Sequence, residues 1–429
     1  MVVFASPHVR QIERATLPNG IRIVTESMPY VRSVSVGVWI GSGSRVERGP
    51  ENGLSHFIEH MVFKGTKNRS AEEIARSIDS VGGGLDAFTS KELVSFNTKV
   101  MDEHLPFAVD VLADLVLHPL FREEDIEKEK GVILEEIKME ADQPEFVLHE
   151  AFIGNFWKGH GLGKPILGTR DTVKKFRQEM LVDFYNRVYS PHNILITAAG
   201  NLDHAEIVQL FSEKFAGLSD RGTPSVDSTP AAHAPVILKK KDSLEQVHIA
   251  MGVPAYPLAH PLRFPLYVLN TVLGGGMSSR LFQDIRERKG LAYAVYSELN
   301  LFSDTGCLTI YAGTGVETAK QVVDCIIQEF RQLRDEWIGD EELRRAKDHL
   351  KGSLMLSLES TSSRMSNLAR QELYFDRFMS LDEMLYSIES VTVEEVQAIA
   401  QEFFKTENIA LAMLGRIGDM QITRDDLVC

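Results

Sequence analysis

The segment "GLSHFIEHMVFKG", residues 53–65, holds the side chains of this sequence that are best suited by type and spacing to chemistry. A helix over 53–64 would place His56 and His60 one turn apart on the same face. Two imidazoles at that spacing can bind one zinc ion, with ring nitrogens about 2.0–2.1 Å from the metal. Glu59 projects toward the same side, where it can take a proton from a water molecule that such a metal activates. The order is H-x-x-E-H, the reverse of H-E-x-x-H.

The alternative for this segment is a solvated helix face that carries two histidines without a metal. A catalytic zinc needs three protein ligands and an open fourth position, so a third ligand must come from elsewhere. The acidic stretch "EEDIEKEKGVILEEIKMEAD", residues 123–142, supplies candidates on a predicted helix. Glu129 and Glu136 lie two turns apart, beside an apolar stripe of isoleucines at helical spacing: Ile126, Ile133 and Ile137. For most carboxylates of this helix, ordinary i,i+4 ion pairs are the competing interpretation.

These segments belong to a sequence in which strand and helix patterns follow the same order twice. In the first half, strand patterns occupy 20–27, 31–41, 85–100 and 193–200, and helical patterns occupy 53–64, 71–81, 102–117, 123–142, 174–188 and 203–215. In the second half, a strand at 246–255 precedes a helix at 264–275, a strand pair at 291–314, long helices and a strand at 408–415. The last strand, "NIALAMLG", parallels "NILITAAG" of the first half. An internal duplication that produced two related mixed α/β domains is therefore expected.

A segment rich in Pro, Ser, Thr and Ala, "LSDRGTPSVDSTPAAHAPV", divides the two halves. It has no hydrophobic period and is typical of a linker. We therefore expect domains at 1–217 and 237–429, joined by the linker 218–236.

Composition excludes several classes of function. The net charge of −15 is spread over both halves without a basic patch, which disfavours nucleic-acid binding. No run approaches the roughly 18 apolar residues that span a bilayer, so no membrane span is expected. The first twenty residues lack the pattern of a secretory signal. Three cysteines without a C-x-x-C pair fit a reducing compartment, and we expect a cytoplasmic location.

Taken together, these motifs resemble the inverted-zinc-motif peptidases of the pitrilysin/insulinase class (M16). The similarity is greatest to the short branch of bacterial processing-peptidase-like proteins and mitochondrial processing peptidase β subunits. Five further segments occur in family order: "FKGT", "AFTSKE", "EKEKGVILEEI", "PILGT" and "NLDH". The resemblance implies an α+β fold of two homologous domains, each a mainly antiparallel sheet packed with helices, as in LuxS and the processing peptidases. It also implies that Glu136, 76 positions after His60, is the third zinc ligand and that Glu129 supports the site.

The second half has no H-x-x-E-H, and its own signal is "GGGMSSRLFQDIRERKGLAYAVYS". The glycines 274–276 are not followed by G-K-[ST], so a helix end or hinge is favoured over a phosphate loop. The resemblance implies that Arg286 and Tyr293 contact the substrate and stabilise the tetrahedral intermediate. A guanidinium and a phenol are donors suited to an oxygen that gains negative charge.

The resemblance implies a zinc endopeptidase that binds one zinc per chain and hydrolyses oligopeptides or unfolded, presequence-like segments. The stretch "LDAFTSKELVSF" is the expected edge strand for an extended peptide, with four contact residues: Asp86, Ala87, Phe88 and Thr89. Asp86 stands where the family commonly has asparagine, so it either binds the peptide backbone or adds charge that favours basic substrates.

Long family members contain four such domains, whereas this chain contains two. We therefore expect a homodimer that closes a chamber around the peptide and in which Arg286 and Tyr293 complete the zinc site of the partner subunit. A heterodimer with a non-catalytic homologue is the alternative assembly. The alternative function is that of a non-catalytic core-type subunit or a peptide-binding assembly subunit of the same family.

Overall fold

The computed structural model describes residues 11–220, 222, 228–375 and 377–429. This part of the chain contains eleven strands: β1 Gln11–Thr16, β2 Arg22–Ser27, β3 Ser33–Ile40, β4 Gly84–Thr89, β5 Val94–Met101, β6 Ile194–Gly200, β7 Val236–Lys240, β8 Val247–Ala255, β9 Ala292–Leu301, β10 Gly306–Thr314 and β11 Ala410–Gly415. Its α-helices are α1 Leu54–Val62, α2 Ala71–Asp79, α3 Leu105–Leu117, α4 Glu123–Ala141, α5 Pro144–Phe156, α6 Arg170–Val173, α7 Gln178–Val188, α8 His204–Phe215, α9 Arg263–Gly274, α10 Ala319–Asp335, α11 Asp340–Ser357, α12 Thr361–Tyr374, α13 Leu381–Glu389 and α14 Val393–Phe403. None of the helices described has the length and apolar character needed to cross a membrane.

The chain divides into two compact units that do not coincide with the halves of the sequence. The first unit comprises Met1–Ile137, Pro165–Val226 and Ser357–Phe378, and the second comprises Lys138–Lys164, Asp227–Leu356 and Met379–Cys429. Each unit therefore includes one helix from the opposite half: α12 belongs to the first unit and α5 to the second. Residues 1–10 of the N-terminal segment and residues 221 and 223–227 of the expected linker lie outside the described residues. The domain boundaries at 217 and 237 stay a prediction.

The sheet of the first unit has the strand order β1-β2-β6-β3-β5-β4, so β4 forms one edge. The β2–β6 pair is parallel, and every other pair in this sheet is antiparallel. All residues of β6 are buried, because both faces of the sheet are covered. One face packs against a core that includes apolar residues of α1, α3, α7 and α8.

The opposite face of this sheet packs against α12. Apolar residues meet there: Val24, Trp39, Leu195, Met365 and Leu368. Two linked, buried hydrogen bonds also connect the sheet to α12. The Trp39 indole N–H donates to Thr197 Oγ1 at 2.7 Å, and that hydroxyl donates to the backbone carbonyl of Met365 at 3.1 Å. A helix from the second half of the sequence thus completes the first unit.

The sheet of the second unit repeats this arrangement in the order β7-β11-β8-β10-β9. The β7–β11 pair is parallel and the others are antiparallel, as in β2-β6-β3-β5-β4. Helix α5 packs against β8 and β11, as α12 packs against β3 and β6. The strands β6 and β11 end at Gly200 (φ 141°) and Gly415 (φ 153°), where a Cβ would meet the backbone entering the neighbouring strand. The prediction of two related domains, each a mainly antiparallel sheet packed with helices, is confirmed.

The structure differs from the sequence prediction in two places that matter for the site. The stretch 85–100 forms two strands rather than one, because a turn at residues 90–93 separates β4 from β5. The Ser90 amide donates to the Leu93 carbonyl at 2.8 Å, and the consecutive polar residues 89–92 interrupt the alternation of the strand pattern at this turn. Helix α5 was not predicted. It begins at Pro144, a residue that favours the first turn of a helix.

Candidate functional site

Helix α1 carries the H-x-x-E-H motif and is anchored by its opposite face. Its core-facing residues are buried: Leu54, Phe57, Ile58, Met61 and Val62. The helix begins after Gly53, whose φ of 101° lies in the left-handed region. A Cβ at this position would come within 2.7 Å of the Leu167 carbonyl oxygen, so only glycine fits. The remaining face presents His56, Glu59 and His60, as the spacing predicts.

The start of α1 is capped by a residue from the preceding loop, because Gly53 has no side chain to do so. Glu47 Oε2 accepts from the backbone N–H of Gly53 at 2.8 Å, and Oε1 accepts from that of Ser55 at 2.7 Å. The Asn52 amide also donates to Glu47, at 3.2 Å. Burial raises the pKa of Glu47 to about 7, although these hydrogen bonds oppose the shift. Glu47 therefore holds the first turn, in which His56 lies.

Helix α4 supplies the two glutamates that the spacing singled out. Ile126 and Ile133 are buried in the core of the first unit, and Ile137 packs against it partly buried. This packing sets the rotation of α4 about its axis. Glu129 and Glu136 consequently face α1, where both come close to the motif histidines.

Three potential ligand atoms converge between the two helices. Glu136 Oε2 lies 3.8 Å from His56 Nε2 and 3.7 Å from His60 Nε2. One donor atom from each residue lies within 4.8 Å of the others, the only such group of three among the described residues. Donors of a tetrahedral zinc site stand roughly 3.4 Å apart, so the two separations between Glu136 and the histidines need to close by only a few tenths of an ångström.

Two buried groups, the Glu136 oxygen Oε2 and the His56 imidazole, test whether these residues fit a zinc ion. Glu136 Oε2 is buried and has no hydrogen-bond partner within the described part of the chain. A buried carboxylate oxygen without a partner is costly, and a cation between it and the two imidazoles would satisfy it. Burial, together with the neighbouring His60, lowers the pKa of His56 to about 3, which keeps its imidazole in the neutral form that binds metals. The residues therefore fit zinc.

His60 is oriented by Glu129, and Glu129 by Lys64. His60 Nδ1 lies 2.8 Å from Glu129 Oε1, and Lys64 Nζ lies 2.8 Å from Glu129 Oε2. Burial opposes charge on His60, but the hydrogen bond to Glu129 and the nearby carboxylates outweigh it and raise the His60 pKa. A proton on Nδ1 directed at Glu129 leaves Nε2 free to face Glu136, as in carboxylate–histidine–zinc arrangements.

Glu59 lies beside this group and is half-buried. Burial raises the pKa of its carboxyl, and the charges of Glu136 and Asp86 act in the same direction. The Thr89 hydroxyl donates to Glu59 Oε2 at 2.5 Å and partly opposes the shift. A carboxylate with a raised pKa next to a metal site is suited to general-base chemistry.

The four expected peptide-contact residues lie on β4, at the edge of the sheet and against α1. Their side chains alternate between the two faces of the sheet. Ala87 and Thr89 point to the α1 face, whereas Asp86 and Phe88 are exposed on the other face. The Phe88 ring meets Trp39 edge-on, with centroids 6.0 Å apart. The structure thus places all four residues near α1 but separates their side chains into two pairs. Their contact with a peptide stays a prediction.

Arg286 and Tyr293 lie in the second unit and contact each other. The Arg286 guanidinium carbon is 4.7 Å from the Tyr293 ring centroid and 4.7 Å from that of Phe282. Arg286 belongs to a π-helical segment, Phe282–Arg288, a form that often marks functional sites. The Tyr293 side chain is 78% exposed on β9. The glycines 274–276 mark the end of α9, in agreement with the predicted helix end.

Comparison with known proteins gives the family. The profile "Insulinase (Peptidase family M16)" matches residues 22–170, and the profile "Peptidase M16 inactive domain" matches residues 175–350. The uncharacterized zinc protease YmxG of Bacillus subtilis is 44% identical over 409 residues, which cover 95% of this chain and 99% of that protein. The chain belongs to peptidase family M16. It has the short, two-domain form of the family, and the M16 resemblance predicted from the motifs is confirmed.

Two solved structures share this fold. A protease from Helicobacter pylori superposes with a TM-score of 0.87 at 23% identity, covering 95% of this chain and 100% of that one. A peptidase M16 inactive domain from Pseudomonas fluorescens gives 0.89 at 17% identity, covering 96% and 100%. At such identities the likeness establishes the fold alone.

Sequence reasoning missed two residues of this M16 site, Glu47 and Lys64, and one contact, that of the Thr89 hydroxyl with Glu59. Lys64 is four positions after His60, and helical spacing places it on the same side, so the spacing could have indicated it. No local pattern indicates Glu47, because it acts from a loop. Thr89 was expected to contact a peptide, whereas its side chain contacts Glu59. The assignment of His56, His60 and Glu136 as zinc ligands, of Glu59 as base and of Arg286 and Tyr293 as substrate contacts stays a prediction.

Proposed function

We propose that this M16 protein is a zinc-dependent endopeptidase that hydrolyses oligopeptides or unfolded, presequence-like segments. The observation that carries the proposal is the convergence of donor atoms from His56, His60 and Glu136 within 4.8 Å, with Glu59 beside them. The site is partly open, since the His60 and Glu136 side chains are 25% and 29% exposed, which leaves access for water and a peptide. The name zinc protease, given to the relative from Bacillus subtilis, supports the same class of reaction.

The residues have separate tasks in this reaction. His56, His60 and Glu136 would hold one zinc per chain, which when bound supplies Lewis acidity to a water molecule and to the peptide carbonyl. Glu59 accepts a proton from the attacking water, whose oxygen bonds to the carbonyl carbon. The carbon–nitrogen bond then breaks, and Glu59 returns the proton to the leaving amine. Arg286 and Tyr293 offer hydrogen-bond donors to the carbonyl oxygen as it gains negative charge.

The expected substrate form follows from the edge strand. The outer side of β4 has no partner strand among the described residues, and it lies against the helix that carries Glu59. An extended peptide can add to such an edge through backbone hydrogen bonds. A peptide inside a folded protein cannot do so, because its own backbone groups are already paired. We therefore expect cleavage of unfolded segments.

A pocket in the second unit has a lining that is suited to basic side chains of a substrate. It has a volume of about 320 Å³, and its lining includes the carboxylates of Glu145 and Glu298 and the rings of Tyr296 and Tyr311. No lysine or arginine is among the described residues that line it. Carboxylates beside aromatic rings suit an ammonium or guanidinium group. A substrate with Lys or Arg is expected to bind better than its neutral analogue.

The primary experiment measures cleavage of an unstructured basic peptide of about 10–20 residues by the wild type and by Glu59→Gln. The proposal expects turnover by the wild type, and its loss in the variant while one zinc per chain stays bound. An alternative is a non-catalytic or peptide-binding assembly subunit of the family. Peptide binding without turnover by a fully zinc-loaded wild type would favour that alternative.

The proposed dimer is tested by mixing two inactive variants. If Tyr293 completes the zinc site of the partner, then Glu59→Gln and Tyr293→Phe subunits together regain activity. Random pairing predicts recovery of about a quarter of the wild-type rate, because half of the dimers contain one intact site of two. Two variants that stay inactive after mixing, despite exchange of subunits, would contradict a site shared between identical chains.

A further inference from the structure

The Glu59 carboxylate depends on one neighbour for its orientation. Thr89 Oγ1 donates to Glu59 Oε2 at 2.5 Å, across 30 residues of sequence. This is the one hydrogen bond made by the Glu59 carboxylate within the described part of the chain. A glutamate has three rotatable side-chain bonds, and α1 alone does not determine where its oxygens point.

Thr89 is itself held firmly. Along β4 the residues that face α1 are Leu85, Ala87 and Thr89, and the first two pack against the core of the first unit. Thr89 pairs with Val94 at the closed end of the β4–β5 hairpin. The adjoining turn is tied by the Ser90 hydroxyl, which accepts from the Leu93 amide at 3.2 Å. Thr89 is β-branched, so its χ1 is restricted as well. Its hydroxyl is therefore a fixed donor.

We infer that Thr89 is a positioning residue for Glu59: its hydroxyl holds Oε2 and turns Oε1 toward the proton to be removed from water. The inference rests on the proposed function, in which Glu59 is the base. It revises the expected role of this residue on β4. The backbone of the edge strand remains available to a peptide, but the Thr89 side chain serves the base.

The role predicts a specific pattern of kinetic change. Thr89→Val replaces the hydroxyl with a methyl group of similar shape and leaves Oε2 without its donor. Misorientation of a reacting group can reduce the rate on the order of 100-fold, so we expect kcat to fall about 10- to 100-fold. KM should change less than about 3-fold, because peptide backbone pairing is untouched. Thr89→Ser retains the hydroxyl and should keep kcat within about 3-fold of the wild type.

Two measurements separate this role from a structural one. Zinc content and thermal stability of Thr89→Val and Thr89→Ser are compared with those of the wild type, and all should bind one zinc per chain. Crystal structures of the wild type and Thr89→Val should show the Glu59 carboxylate rotated in the variant. Thr98→Val is the matched control, since Thr98 donates to the Gly84 carbonyl at 2.8 Å at the open end of the same hairpin. The Thr98→Val variant should have a lower thermal stability than the wild type and an unchanged kcat.

The outcomes are distinguishable. Wild-type kcat in zinc-loaded Thr89→Val, or an unmoved Glu59 carboxylate, overturns the inference and leaves the proposed function intact. An equal loss of activity or zinc in Thr89→Ser also overturns it, because the hydroxyl would then not be the relevant group. Absence of turnover in the zinc-loaded wild type removes the proposed function, and the inference with it.

Discussion

The imidazole of His60 lies between Glu129 on one side and the acceptor Glu136 on the other. The contact with Glu129 decides which nitrogen carries the proton, and Lys64 compensates the negative charge of Glu129. Burial alone would raise the Glu129 pKa, but the hydrogen bonds from His60 and Lys64 outweigh the effect of burial and lower this pKa. Glu129 therefore remains an anion beside the proposed zinc site and holds a proton on His60 Nδ1, so that Nε2 faces Glu136.

Substitution of Glu129 tests this arrangement. Glu129→Gln should weaken zinc affinity about 10- to 100-fold, because the amide holds the His60 tautomer less strongly. Competition with a chromogenic chelator measures the affinity directly. Glu127→Gln is the matched control on the same helix, since Glu127 is 71% exposed and pairs with Lys130. An unchanged affinity in Glu129→Gln would refute the supporting role.

At the scale of elements, α1 is held at its start by two unusual features, Gly53 and Glu47. Gly53→Ala should destabilise the protein by about 1–3 kcal/mol, because alanine is strained at a φ of 101° and its Cβ would meet the Leu167 carbonyl. Urea unfolding measures this loss. Gly49→Ala is the control, since a Cβ there meets no atom within 4 Å and should change stability by less than about 0.5 kcal/mol. Similar stabilities of the two variants would contradict the prediction.

Glu47 predicts a pH dependence of stability. Its pKa is about 7 when folded and near 4.5 when exposed, so the folded state binds this proton more tightly. The stabilising contribution is fully present below pH 4.5 and is lost as the pH rises through about 7. The free energy of unfolding of the wild type, relative to Glu47→Gln, should fall on the order of 3 kcal/mol between pH 4.5 and 8.

Equilibrium unfolding at several pH values tests this dependence. Glu72→Gln, an exposed carboxylate on α2, should follow the wild type throughout. A difference between the wild type and Glu47→Gln that does not vary with pH would show that the Glu47 carboxyl is not perturbed.

At the scale of the whole molecule, the two halves of the sequence depend on each other. Each half contributes one helix, α5 or α12, to the unit that is formed mainly by the other half. Without α12, residues 1–236 would expose the apolar face formed by Val24, Trp39 and Leu195. This fragment should therefore aggregate or remain partly unfolded when expressed alone. Co-expression with residues 237–429 should restore a soluble complex with the near-ultraviolet circular dichroism of the intact chain. A soluble, cooperatively folding fragment 1–236 would contradict the prediction.

Much of the site was predictable because its determinants are local. The helical repeat alone places His56, Glu59 and His60 on one face of α1, and it aligns Glu129 with Glu136 on α4. The isoleucine stripe on α4 indicated which side would be buried. Assigning Glu136 as the third ligand required the family resemblance, since spacing on one helix says nothing about the distance to another.

The sequence by itself determined the two repeated sheets and the residues that each helix face presents, because periods of 2 and 3.6 residues are properties of neighbouring positions. Only the tertiary structure decided which faces meet. Three features join residues through packing: the contact of Thr89 with Glu59, the capping of α1 by Glu47 from a loop, and the placement of α5 and α12 in the unit of the opposite half. Such contacts depend on burial and hydrogen bonding across the whole fold, for which a local pattern contains no signal.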